Sequence, residues 1–261
     1  MLSLRANPFT GPGETSHNCM YQEFDHGAVA RTDADSASVP GIPGYLSETY
    51  WWAYIHPRAV RLFDRPIAVD VILFGNYQRL RNAALSVLPP RVEGKMLQVA
   101  CVYGDFTAEL AGRLAAGAAL DVVDVVPIQL QNLRRKLPAG APVSLFCRDA
   151  SALGFPSAAY EQVILFFLLH EQPGPVRRAT IGEALRVVKP GGQVVVVDYH
   201  RPHRFNPLRL LMKPLLARLE PFALDLWQTE IREWLPQGAA WSRIRKTTFF
   251  GGLYQRIVIQ R

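Results

Sequence analysis

The side chains able to do chemistry stand at the ends of apolar runs. Gly104 follows the run 96–99, and Asp124 comes twenty residues after it, near the end of the run 120–126. A strand, a glycine turn and a helix opening at Thr107 predict backbone N–H groups aimed at a ligand. A carboxylate at the end of the next strand can accept both hydroxyls of a ribose. Two further runs end in titratable groups: 160–169 leads into His170-Glu171, and 193–197 into Asp198-Tyr199-His200. Imidazole titrates near neutrality, so His170 and His200 suit proton transfer. Tyr45, Tyr50, Trp51, Trp52, Tyr54 and His56 crowd one stretch, which suits either core packing or a cap over a flat ligand.

Positioning such groups needs a sheet. From residue 94 the chain alternates strands and helices in an α/β rhythm: strands at 96–99, 120–126, 143–147, 160–169 and 193–197. Pro127 fits a first helical turn, and Arg134, Arg135 and Lys136 complement that helix's C-terminal dipole. The stretch 107–114 reads as a helix, and Lys189-Pro190-Gly191-Gly192 as a turn. Residues 245–250 and 253–259 flank Gly251-Gly252 and predict an antiparallel hairpin closed by a two-residue turn at the sheet edge. Residues 1–40 read as a poorly ordered arm. Residues 41–90 read as a helical, aromatic-rich cap, and 91–261 as the ligand-binding α/β domain. Within that domain 203–236 forms an insertion whose stretch 207–219 is apolar, basic and interrupted by Pro214. It fits a surface helix at lipid headgroups or one packed on its own domain.

The 261 residues are 49% hydrophobic and 20% charged, which suits a globular chain with a sizeable core. A net charge of +7 favours phosphate or an anionic membrane surface. The basic residues are scattered without interleaved aromatics, so no nucleic-acid partner is expected. Cys19, Cys101 and Cys147 are too far apart for a C-x-x-C zinc site or a disulfide framework. No run approaches the ~18 apolar residues of a membrane span, and no secretory signal is evident.

Five alternating strands and helices, the segment LRVVKPGGQVVVVD (185–198) and the terminal hairpin resemble class I S-adenosylmethionine-dependent methyltransferases. Further blocks are similar to the rhodoquinone-biosynthesis, or RquA-like, proteins of that superfamily. They are GYLSETYWWAYIHPRAVRLF (44–63), VACVYGDFT (99–107), LDVVDVVPIQLQNLRRKLP (120–138), FFLLHEQP (166–173) and VVDYHRP (196–202). The resemblance implies a Rossmann-like α/β fold with a mostly parallel seven-stranded sheet, a C-terminal antiparallel hairpin and an N-terminal helical cap. It implies S-adenosylmethionine as an amino donor, whose nitrogen replaces a methoxy group of ubiquinone to give rhodoquinone, and a divalent metal, manganese.

Carried over position by position, the cofactor would meet Gln98, Ala100, Val102 and Gly104 after the first strand. Asp124 and Val125 stand near the carboxyl end of the second strand, and Asp149 and Ala150 just past the third. Asp124 would hold the ribose hydroxyls, and Asp149 the adenine amino group or the reactive part of the donor. Asp149, Tyr103, His170 and His200 are the catalytic candidates. Tyr54, His56, Tyr103 and Tyr199 are those for the quinone. Oxygen and nitrogen ligands suit manganese, and His170, Glu171, Asp198 and His200 are the candidate set. Ubiquinone's tail implies peripheral contact with a membrane, on the cytoplasmic face of a bacterial inner membrane or the matrix face of a mitochondrial one.

The first motif departs from ordinary methyltransferases. Neutral Gln98 stands where they carry an acid, and Ala100 and Val102 where they carry glycines. That acid normally favours the donor's ammonium form, so its loss would leave a neutral, nucleophilic amine. The alternatives are a conventional methyltransferase of quinone biosynthesis and a non-enzymatic, cofactor-binding membrane or RNA adaptor.

Overall fold

Two strands, β1 (Lys95–Val99) and β4 (Tyr160–Phe166), pair in parallel at the centre of a seven-stranded sheet. The computed structural model describes residues 41–50, 63–64, 66–101, 103–238 and 241–261. The expected arm 1–40, Tyr54 and His56 of the aromatic stretch, and Val102 lie outside the described residues.

On one side of β1 lie β2 (Ala119–Asp124) and then β3 (Val143–Cys147). On the other, beyond β4, lie β5 (Val188–Tyr199), β7 (Tyr254–Gln260) and the edge strand β6 (Arg243–Phe249). The first five strands are parallel, and β7 runs antiparallel to both β5 and β6. This is the predicted mostly parallel sheet with a terminal hairpin. The chain moves outward from β1 to β3 and then returns to β4, so a topological switch falls between β1 and β4. In open α/β sheets the crevice at the carboxyl ends beside such a switch takes the ligand.

The central strands are apolar on both faces because both faces are covered; Val194, Val195, Val196 and Val197 are all buried. The N-terminal helices are α1 (Gly44–Thr49), α2 (Pro66–Ile72) and α3 (Tyr77–Leu85). Leu80, Ala84 and Leu85 of α3 belong to the same core as the sheet. Between strands run α4 (Phe106–Ala111), α5 (Pro127–Lys136) and α6 (Gly174–Val187). The segment joining β5 to β6 carries α7 (Leu208–Leu219) and a 3-10 turn, Pro221–Leu224, followed by α8 (Asp225–Gln228).

Several boundaries differ from the sequence reading. The helix expected over 107–114 stops at Ala111, with Gly112 as its C-cap, and Leu114 instead bridges to Val92. The second strand ends at Asp124 rather than 126, because the Asp124 carboxylate turns back to accept the Val126 N–H. The fourth ends at Phe166, since Phe167 adopts a left-handed φ of 55°. Residues 189–192 bulge out of β5, the register passing from Tyr160↔Val188 to Gln162↔Gln193. Gly192 is required in that bulge: a Cβ there would lie 2.5 Å from the Glu161 carbonyl oxygen. The hairpin closes through four residues, Phe250 to Leu253, rather than two, with Phe249 opposite Tyr254. Phe250, Gly251 and Gly252 all take positive φ.

Candidate functional site

A cavity of about 480 Å³ opens at the carboxyl ends of β1, β2, β4 and β5. Its polar wall comes from the residues just past those strands. Its apolar wall comes from α2 and α7, including Val71, Ile72, Met212 and Leu215.

The loop after β1 is held from several directions. Ala100 has a φ of 72°, a left-handed conformation costly for a residue with a Cβ, and its N–H donates to the Val123 carbonyl. Gln98 is fully buried, and its Nε2 donates to the Ala100 carbonyl at 3.0 Å. Gly104 has a φ of 88°, and a Cβ there would collide with the Tyr77 hydroxyl at 2.5 Å. That hydroxyl accepts the N–H groups of Asp105 and Phe106 and donates to the Asp105 carboxylate. The Gly104 N–H donates to Asp64. The N–H groups of Gly104, Asp105 and Phe106 are therefore spent on Asp64 and Tyr77 and are not offered to a ligand.

Asp124 lies at the end of β2 against the cavity. Its Oδ2 accepts the Cys101 N–H and its Oδ1 the Val126 N–H, both at 2.8 Å. Burial pushes its carboxyl up to about 6, against these hydrogen bonds, which pull the other way. Past β3, Asp149 Oδ1 accepts both the backbone N–H and the hydroxyl of Ser151 at 2.7 Å. Ala100, Tyr103, Val125, Asp149 and Ala150 all line the cavity, whereas Gln98 and Gly104 stand behind it. The Tyr103 hydroxyl accepts from Gln129 Nε2 at 3.0 Å.

The far wall holds a buried charged cluster. Asp198 accepts the N–H groups of Leu169 and Tyr199, and His170 Nδ1 lies 2.9 Å from its Oδ1. His170 Nε2 faces Glu220 at 3.6 Å and Glu171 at 3.7 Å. Burial alone would lower the His170 pKa, but the Asp198 and Glu220 carboxylates outweigh it and lift it to about 9. Burial likewise raises Glu220, partly offset by His170. His170 is thus an imidazolium at neutral pH. Its contribution to stability should be fully present below about pH 6.5 and lost as pH rises through about 9. Between those values the folded state should lose up to ~1.4 kcal/mol per pH unit relative to His170→Asn. Urea titrations of both proteins across that range would read it, and parallel profiles would refute it.

His200 does not join this cluster. Successive strand residues point to opposite faces, so Tyr199 reaches the cavity and His200 turns away. Its Nδ1 donates to the Gly252 carbonyl at 2.8 Å, and its Nε2 accepts from Lys246 at 2.8 Å. It lines a separate cleft with Arg201, His203, Arg204 and Arg209. The candidate ligand set His170, Glu171, Asp198 and His200 therefore does not fit a metal ion. Asp198 is engaged by backbone N–H donors and His170, and His200 is elsewhere. No group of three or more His, Cys, Asp or Glu side chains among the described residues could hold one. Tyr45 of the aromatic stretch lines the cavity, and so does Glu220, which nothing in the sequence marked.

The family described as "Methyltransferase domain" matches residues 96–192, the span from β1 into the β5 bulge. The demethylmenaquinone methyltransferase of Thermus thermophilus is 30% identical over 153 residues, covering 58% of this chain and 68% of that protein. The 2-methyl-6-phytyl-1,4-hydroquinone methyltransferase of Synechocystis is 30% identical over 187 residues, or 70% of this chain. The chain spans only 55% of that relative's length. Among solved structures, mitomycin 7-O-methyltransferase superposes with a TM-score of 0.62 at 15% identity, covering 82% of this chain and 60% of that one.

Proposed function

Because this chain belongs to the class I S-adenosylmethionine-dependent methyltransferase family, we propose that it transfers a group from S-adenosylmethionine to the ring of a lipophilic quinone. One observation carries this reading: a single cavity joins nucleoside-type acceptors, Asp124 and Asp149, to an apolar wall built by α2 and α7. The donor's ribose would lie on Asp124 and its adenine or methionine part beside Asp149 and Ala150. The quinone ring would sit between Tyr103, Tyr199 and His170, with its tail toward Val71 and Leu215. His170, held as an imidazolium by Asp198, would donate a hydrogen bond to the quinone carbonyl oxygen as negative charge develops there during amine addition. In methyl transfer, where the hydroquinone is the nucleophile and gives up its proton, it would only orient the ring.

The quinone-modifying relatives favour methyl transfer. A second reading, amino transfer of the RquA type with an amine replacing a ring methoxy group, is favoured by Gln98. It puts a neutral amide, bonded to Ala100, where the family's acid would hold the donor's ammonium. Donor labelled in the methyl carbon or in the amino nitrogen separates the two readings. Incubated with a short-tailed ubiquinone analogue or its demethylated hydroquinone, methyl transfer would carry the carbon label into the ring product. Amino transfer would carry the nitrogen label. Product from neither acceptor would refute the quinone assignment itself.

A further inference from the structure

Outside the cavity, the helices that form its apolar wall carry their hydrophobic surface on into solvent. Phe205 is 81% exposed, Leu210 83% and Leu211 55%, in and just before α7. On α2, Ile67 is 79% exposed and Val71 69%. Scattered exposed apolar side chains are ordinary, but these come from two elements that border one opening. Val71, Ile72, Leu215 and Leu219 are exposed and also line the cavity, so the patch and the cavity mouth are one continuous surface.

Within α7 the inward positions are Met212 and Leu216, both buried, four residues apart. Leu210, Leu211, Leu215 and Leu219 remain for the outside, although the helix has no further chain to pack against there among the described residues. The charges interleaved with them are all basic: Arg204, Lys213 and Arg218 are exposed, and Arg209 is half-buried. Arg204, Arg209 and Arg201 also line the cleft at the N-terminal end of α7. Among the described residues no helix is long and apolar enough to cross a membrane. An apolar strip flanked by cations, at the mouth of an apolar cavity, has the chemistry of an interfacial anchor.

We propose that α2 and the segment 204–219 together form a docking surface for an anionic lipid bilayer, the cavity mouth opening directly against it. Apolar side chains enter the acyl boundary while the arginines and Lys213 meet headgroup phosphates. A second copy of this chain is a poorer occupant, because two like-charged rims would face one another. The proposal rests on the quinone reading only for what passes through the mouth; the surface itself is tested without quinone or donor.

Flotation of the full chain with phosphatidylglycerol–phosphatidylethanolamine vesicles is the experiment, with pure phosphatidylcholine vesicles as control. The wild type should float with the anionic vesicles, and less so as salt rises. Ile67→Glu/Phe205→Glu/Leu210→Glu changes three outward side chains that line neither cavity, so the fold should be kept, as circular dichroism would confirm. It should lower the bound fraction at least tenfold. Arg204→Glu/Lys213→Glu/Arg218→Glu should abolish the preference for anionic over neutral vesicles. Wild-type protein that stays in the soluble fraction, or a triple variant that floats like wild type, would overturn the proposal. So would a dimer on gel filtration that the apolar variant splits, since the patch would then bury another copy. Vesicle binding without any quinone product would remove the catalytic reading and leave this surface standing. Turnover of a short-tailed quinone by a protein that ignores vesicles would do the reverse.

Discussion

Replacing Arg177 by methionine should lower the unfolding free energy by roughly 3–5 kcal/mol. Arg177 is wholly buried, and its guanidinium donates to three backbone carbonyls. Nε reaches the Leu169 carbonyl at 2.8 Å, while Nη2 reaches those of Gln172 at 2.8 Å and Phe222 at 2.7 Å. The group also stacks over the Trp234 ring at 4.8 Å. Methionine fills much of the volume but removes three charge-assisted hydrogen bonds, each worth roughly 1.5–3 kcal/mol. The Leu169 and Phe222 carbonyls keep the backbone N–H groups of Gln172 and Asp225. Relief from desolvating the cation returns part of that, which sets the net figure. Asp225, the cation's ion-pair partner at 3.4 Å, is half exposed and adds little when freed. Arg177→Lys keeps the charge without the planar fork and should fall between the two. Urea midpoints measure this, and a loss below about 1 kcal/mol would mean that water satisfies the carbonyls. The consequence reaches the cavity, because those carbonyls belong to the turn carrying His170 and the turn just past Glu220. The stability change between pH 6.5 and 9 should therefore shrink in the methionine variant.

The sheet was largely legible because each central strand is a short run of branched apolar residues closed by a turn signal. The run ending at Asp198 and the hairpin about Gly251-Gly252 are examples. Asp124 was legible too, from its spacing after Gly104. What failed depended on partners distant in the chain. The opening of α4 reads as a ligand cradle until Tyr77, nearly thirty residues upstream, places its hydroxyl on those N–H groups. Glu220 follows a leucine-rich helix with no periodicity to mark it, and only the fold sets it against His170. Strand alternation separates His200 from Tyr199, but only the fold shows that Tyr199 is the one that meets the cavity. Phe167 was unreadable for another reason: nothing in the apolar run 160–169 announces a left-handed residue.

Asp124→Asn should weaken binding of S-adenosylhomocysteine by about 100-fold with little change in fold, as isothermal titration calorimetry would read. A carboxylate offers two oxygens with about four acceptor sites. The Cys101 and Val126 N–H groups take a site on each oxygen, and the Cys101 thiol and the Val125 N–H also bear on the carboxylate. The ribose hydroxyls would compete for the sites that remain. Hydrogen bonds to a charged acceptor are worth roughly 1.5–3 kcal/mol each, so losing the charge and one acceptor accounts for a change of that size. The amide must also turn its NH2 toward one of the two backbone donors, which weakens the loop that carries Ala100 and Cys101. A pH signature accompanies the substitution. Burial holds the free carboxyl near 6, and only the ionised form accepts two hydroxyls. Wild-type affinity should therefore rise about tenfold per pH unit up to roughly pH 6 and level off above it. The asparagine variant should lack that rise, because it has no proton to lose at this position. Binding within threefold of wild type, with the rise intact, would remove Asp124 from the ribose and leave it a loop-shaping residue only.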